Sequence, residues 1–362
     1  MVFEVFFMQI TEIARAFAIS GAPAGWKTFG QGHINQTYKV NTDDGNAYIL
    51  QRINQYVFRQ PELLMENAFA ISHFLKERQL HLAPDFLPTR DGHLCHRDQE
   101  GEYWRMYRFV PGKTLEQVES PQDFYRCGLG FGKFQTLLAQ FPAHTLHETI
   151  PNFHNTVARF QQLHDSICAD PAGRVTEVSE EIGYLLSMEQ RAGSLQRMLE
   201  SGELPLRVTH NDTKLSNILF DEEYNPCCIL DLDTVMPGIG LMDFADGIRS
   251  GAATAKEDEA DISKMQLNLQ LFQAFATGFM EASLQLTPAE VNMLAESALI
   301  ITLEQAARFL KDYLDGDVYY HTAYPGHNLI RTHAQIALAK DMADKMGQMN
   351  QIILEIQEKM NR

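Results

Sequence analysis

HNDTKLSN, from His210 to Asn217, and the ILDLD that follows it, from Ile229 to Asp233, together decide how this chain is read. An apolar run, LRVTH, leads into the first motif and NILF leaves it. The turn DEEYNP then brings the chain back through CCILDLD, so short strands alternate with polar loops. The H-x-D-x-x-x-x-N spacing sets a carboxylate, Asp212, five residues ahead of an amide, Asn217, and Asp231 emerges from the end of the next apolar strand. Phosphoryl transfer from a nucleotide needs such a set. A carboxylate orients or deprotonates an acceptor hydroxyl, and oxygen ligands hold magnesium against the triphosphate. Ordinary residue frequencies place the spacing alone in roughly two chains per hundred of this length. The plain alternative is that these acids and amides cap turns, and the strand context weighs against it.

Upstream, WKTFGQGHINQTYKV (26–40) reads as strand, glycine turn, strand, and Asp44-Gly45 marks a tight turn before AYILQRI (47–53). Glycine loops that bind dinucleotides stand between a strand and a helix, whereas GQGHIN has strand-like residues on both sides. That is the setting of a flap whose backbone amides approach phosphates because no side chain blocks them. His33 and Asn35 at its tip can touch the terminal phosphate or the acceptor, or simply stabilise the turn. Pro61 opens a helix with the stripe Leu64, Ala68, Ile71 and Leu75. HLCHR (93–97) and EYWRMYRFV (102–110) complete an expected five-stranded antiparallel sheet with one long helix.

Beyond Pro111-Gly112 the periodicity turns helical, near 121–140, 153–168, 178–200, 262–283, 288–314 and 331–360. Thr287, Pro288 and Glu290 form a capping-box signature at one helix start. The boundary is expected near 110, giving an α+β chain with lobes 1–110 and 111–362 and a cleft suited to a small ligand.

With 30 basic and 47 acidic side chains the 362-residue chain carries a formal charge of −17, and it has no basic block. Nucleic-acid and anionic-membrane binding are therefore disfavoured. The apolar opening MVFEVFF lacks a basic leader and a cleavage site, and no run reaches the ~20 apolar residues of a membrane span. Five scattered cysteines suit a reducing, cytoplasmic setting better than a disulfide framework. The histidines of HLCHR and those at 321, 327 and 333 lack zinc-site spacing. Phe131, Phe134, Phe272, Phe275 and Phe279 read as core.

Taken together, FGQGHINQTY, YILQRIN, RFVPG, HNDTKLSNILF and DLDTVMPG resemble the aminoglycoside phosphotransferase and choline kinase superfamily, and within it the N-acetylhexosamine 1-kinases. The resemblance implies a bilobal, protein-kinase-like fold, with 1–110 holding ATP and 111–362 supplying catalysis and the acceptor site. It makes Asp212 the catalytic base, Asn217 and Asp231 the Mg2+ ligands, Gly30 and Gly32 the phosphate flap, and Met106 to Val110, with Tyr107, the adenine hinge. Asp243 would brace the catalytic loop. The implied activity is ATP-dependent phosphorylation of the anomeric hydroxyl of GlcNAc or GalNAc to the sugar 1-phosphate. The alternatives are a kinase of choline, homoserine or an aminoglycoside, or a nucleotide-binding pseudokinase.

One departure stands out. The family pattern places a basic residue on the third strand, held by a helix glutamate, where YILQRIN offers Gln51 and Arg52. Arg52, with Glu66 on the following helix, is the expected phosphate ligand, and strand alternation leaves Gln51 open as the one that faces the phosphates. For the sugar, similar segments line the site in the resembling kinases, which makes Arg308 and Tyr319 the candidates beside His33 and Asp212. A surface pairing of Arg308 with Glu304 or Asp312 is the alternative.

Overall fold

The computed structural model describes residues 2–30, 35–115 and 117–361. They form two compact units, each described by itself: Met1–Lys113 with His144–Ile150 and Leu219–Met236, and Thr114–Ala143 with Pro151–Ile218 and Pro237–Arg362.

The first unit opens with α1 (Val2–Arg15) and a meander of β1 (Pro23–Thr28), β2 (Gln36–Thr42) and β3 (Ala47–Ile53). α2 (Pro61–Glu77) follows, then β4 (Phe86–Leu87), β5 (His96–Arg97) and β6 (Tyr103–Arg108). The sheet is antiparallel, in the order β1-β2-β3-β6-β4, with β5 also on β6, so it has six strands where five were expected. The added strand, β4, is two residues long between Pro84 and Pro88, too short for alternation to show.

Alternation gives this sheet two distinct faces. Tyr38, Leu50, Trp104 and Met106 share one face and pack with Ile10, Ile13, Ala14 and Phe17 from α1 and the turn after it. On the other, Phe86 lies edge-on to Tyr107 of β6 and against Phe69 of α2. α2 is further tied down by Asn67, whose amide donates to the carbonyls of His147 and Val235 at 2.8 and 3.1 Å.

The chain then runs through α3 (Pro121–Leu137), α4 (Thr156–Ala169), α5 (Ser179–Ala192), α6 (Ser194–Glu200) and β7 (Leu206–Thr209). The hairpin of β8 (Ile218–Phe220) and β9 (Pro226–Ile229) precedes β10 (Met236–Ile239), which pairs with β7. Five helices complete the second unit: α7 (Leu241–Gly251), α8 (Leu269–Ala282), α9 (Pro288–Leu314), α10 (His327–Asp344) and α11 (Met346–Met360). The capping box at Thr287 and Glu290 forms at the start of α9. Helices expected over 178–200 and 331–360 are each interrupted, at Gly193 and Lys345, and α7 arises in a segment without an expected helix.

Glycines let α3 and α8 touch backbone to backbone. A Cβ on Gly128 would lie 2.2 Å from the Phe275 carbonyl oxygen, and one on Gly278 would lie 2.0 Å from that of Tyr125. Phe244, Phe272, Phe275 and Phe279 stack beside this crossing, with ring centroids 5.3–6.1 Å apart. Burying each such ring contributes about 1.5–3 kcal/mol. No helix among the described residues is long and apolar enough to cross a membrane.

Candidate active site

In the second unit the loop after β7 is held from below by α7. The buried Asp243 carboxylate accepts the backbone N–H groups of His210 at 3.0 Å and Asn211 at 2.8 Å, and the Gln135 amide at 2.8 Å. Burial raises the Asp243 pKa, opposed by His210 and these donors. The His210 ring sits edge-on between Phe131 and Phe134, at 5.7 and 5.9 Å. Asn211 adopts a left-handed backbone, φ 65°, which asparagine tolerates better than most residues. Its carbonyl meets His154 Nε2 at 3.1 Å, and His154 Nδ1 meets Glu304 Oε1 of α9 at 2.7 Å.

On this frame Asp212 and Asn217 come together. Asn217 Nδ2 donates to the Asp212 carbonyl at 2.8 Å and to its carboxylate Oδ2 at 2.9 Å. The amide oxygen of Asn217 is thereby oriented, and it takes no hydrogen bond from a described residue. Asp212 keeps 28% of its side chain exposed, and Lys214 Nζ lies 2.7 Å from Oδ2. Lys214 was not singled out from the sequence, although it stands two residues from Asp212 in the motif itself.

Further along α9, Arg308 forms no ion pair with a described residue. Glu304 is taken by His154 and by the Thr156 hydroxyl at 2.5 Å. Asp312 accepts the N–H groups of Val318, Tyr319 and Tyr320 at 2.8–3.1 Å. Arg308 instead faces the rings of Phe153 and Tyr320, at 5.2 and 5.8 Å, and donates to Gln305 at 3.2 Å. Tyr319, 57% exposed, stands edge-on to Tyr320 at 4.8 Å.

The first unit carries the nucleotide candidates. Gly30 turns with φ 78°; Gly32 and His33 lie outside the described residues. Asn35 Nδ2 donates to Asp233 Oδ2 at 2.7 Å, and its Oδ1 accepts the Asn54 N–H at 3.0 Å. Gly30, Asn35 and Arg52 line a polar cavity of about 690 Å³ together with Thr37, Gln55 and Glu102. Tyr107 lies in β6, half-buried against Phe86, and burial pushes its phenol pKa up. Val110, past the strand end, has neither its N–H nor its carbonyl bonded to a described residue.

Arg52 and Glu66 do not meet. Arg52 Nη1 is 3.7 Å from Glu102, while Glu66 accepts from His147 Nε2 at 2.7 Å. The reason is strand parity. Arg52 shares the α1 side of the sheet with Tyr38, Leu50 and Trp104, and Gln51, bonded to Thr37 and Arg105 at 3.0 and 2.9 Å, faces the α2 side.

Asp231, at the end of β9, has φ 57° and ψ 61°. A left-handed aspartate costs free energy, and such strain concentrates at functional positions. Two residues on, the buried Asp233 forms an ion pair with the buried Arg105 of β6. Asp231 in the first unit and Asn217 in the second each carry a hard oxygen of the kind magnesium takes.

The chain matches the family model of the phosphotransferase enzyme family over residues 25–281. Among solved structures it is similar to an amicoumacin kinase (TM-score 0.62, 12% identity, 93% of each chain covered). A microcompartment-associated aminopropanol kinase matches at TM-score 0.62 and 16% identity, over 95% of this chain and 98% of that one. The choline kinase of Cryptosporidium parvum Iowa II matches at TM-score 0.61 and 13% identity, over 95% and 97%. These likenesses show the fold. With the family match spanning most of its length, the chain belongs to the phosphotransferase enzyme family.

Proposed function

We propose that this kinase transfers the γ-phosphoryl group of ATP to the anomeric hydroxyl of an N-acetylhexosamine, GlcNAc or GalNAc, and releases the sugar 1-phosphate and ADP. Residues 1–110 are assigned to the nucleotide and 111–362 to catalysis and the acceptor. Asp212 takes the hydroxyl proton as the sugar O1 forms its bond to the γ-phosphorus and the bond to the β,γ-bridging oxygen breaks. Asn217 and Asp231 would hold magnesium, which when bound neutralises charge on the phosphates. Gly30 lets backbone approach the phosphates, and the unbonded amide of Val110 suits the edge of an adenine.

The observation that carries the acceptor assignment is the charge around Arg308. Arg308 and Arg159 lie close enough that Arg308, after burial, is the main influence lowering the pKa of Arg159. Two guanidiniums beside Tyr319, Tyr320 and Phe153 disfavour a cationic acceptor such as choline or an aminoglycoside. They suit a neutral sugar that accepts hydrogen bonds and stacks on a ring. An anomeric hydroxyl is also more acidic than an ordinary alcohol, which lightens the work of a carboxylate base. All five cysteines are unpaired, in keeping with a cytoplasmic setting.

The test is an ATP-consumption screen over GlcNAc, GalNAc, free hexoses, choline, aminopropanol, homoserine and aminoglycosides. Turnover with the N-acetylhexosamines supports the proposal, and turnover confined to the cationic compounds defeats it.

A further inference from the structure

The sheet face turned toward α2 carries a cation that the expected phosphate-binding position does not supply. Arg52 is on the opposite face, and Gln51, which occupies the position, is neutral. Directly across the ladder from Gln51 stands Arg105 of β6, 2% exposed. Its Nε donates to Gln51 Oε1 at 2.9 Å and its Nη1 to Asp233 Oδ1. Its Nη2 donates to no described residue, and it is not among the buried polar atoms shut off without a partner. Asp231 is near enough for its charge to act on the guanidinium.

The arginine is also fixed in place. Asp233 accepts Asn35 Nδ2 at 2.7 Å, and Asn35 in turn binds the Asn54 N–H at 3.0 Å. One network therefore joins β3, β6, the segment after Asp231 and the chain just past the glycine turn. Burial opposes the charge on Arg105, and the Asp233 carboxylate more than offsets it, so the guanidinium stays protonated. A buried ion pair by itself stabilises a core no better than apolar residues of the same volume, so packing does not account for a charge here.

We propose that Arg105 binds the α- or β-phosphate of the nucleotide through Nη2, with Asp233 as the carboxylate that holds it, in place of a cation on β3. A guanidinium anchored at two nitrogens presents the third to a phosphate oxygen with little left to order. The inference rests on the nucleotide assignment proposed above.

Calorimetric titration with ADP and with adenosine, both in EDTA so that no divalent cation bridges protein and phosphate, reads the phosphate contribution as the ratio of the two affinities. Arg105→Gln is expected to cut that ratio by about tenfold or more while adenosine affinity holds, and Arg105→Lys to keep part of it. Should Arg105→Gln fail to fold, the double variant Arg105→Met/Asp233→Leu, which removes both charges together, is expected to lose the ratio likewise. An unchanged ratio in either folded variant overturns the proposal, as does a loss seen in Arg52→Gln and not in Arg105→Gln. Binding of neither compound by the wild-type chain overturns the nucleotide assignment itself, and this inference with it.

Discussion

Asn217 donates both amide hydrogens to one residue, Asp212, at its carbonyl and its carboxylate, 2.8 and 2.9 Å away. The bond to the carboxylate points Oδ2 back into the loop, and the Asn217 carbonyl oxygen takes no hydrogen bond from a described residue. One amide group thus sets the geometry of both side chains.

Asp212→Asn keeps the shape and removes the carboxylate proposed as the base. We expect kcat to fall by about 10²–10⁴-fold with the thermal midpoint almost unmoved, because the side chain is partly exposed. Steady-state kinetics and a thermal melt check this; wild-type kcat in a folded variant would take Asp212 out of the base role.

Arg308→Met is expected to raise the acceptor KM by about tenfold or more and leave the KM for ATP unchanged, since the guanidinium lies among Phe153 and Tyr320 of the second unit. Equal changes in both constants would point to a structural role.

Asp243→Ala would leave the N–H groups of His210 and Asn211 without their acceptor. Each buried donor stranded in this way costs about 1–3 kcal/mol, so urea unfolding should show a loss of about 2–6 kcal/mol together with a fall in kcat. Unaltered stability would mean that the loop is held elsewhere.

Glu304 ties α9 to His154. Burial alone would raise its pKa, and His154, Arg308 and the Thr156 hydroxyl outweigh burial and hold it below the usual glutamate value. A folded pKa below the unfolded one means that the stabilisation is complete above the unfolded value, about 4.3, and is lost as pH falls from there through the folded value. Urea midpoints for Glu304→Gln measured between neutral and acid pH should therefore fall less steeply below about pH 4.3 than those of the wild type. Parallel curves would exclude this contribution.

What the sequence made legible follows the distance over which each signal acts. Asp212 and Asn217 are five residues apart, and the capping box of Thr287 and Glu290 spans one helical turn, so local spacing sufficed. The ion pair of Arg105 with Asp233 joins residues 128 apart and leaves no local trace. The choice between Gln51 and Arg52 depended on which face α2 covers, which alternation alone does not state. β4 escaped notice because two residues have no period, and the α5–α6 break at Gly193 because the apolar pattern runs through it.

The central claim is the transfer to an anomeric hydroxyl. Phosphorus NMR of the chain with ATP, magnesium and GlcNAc or GalNAc should show a new phosphomonoester coupled to the sugar H1, formed in step with ADP and absent with Asp212→Asn. A spectrum without that ester, while choline, homoserine or an aminoglycoside is phosphorylated under the same conditions, would contradict it.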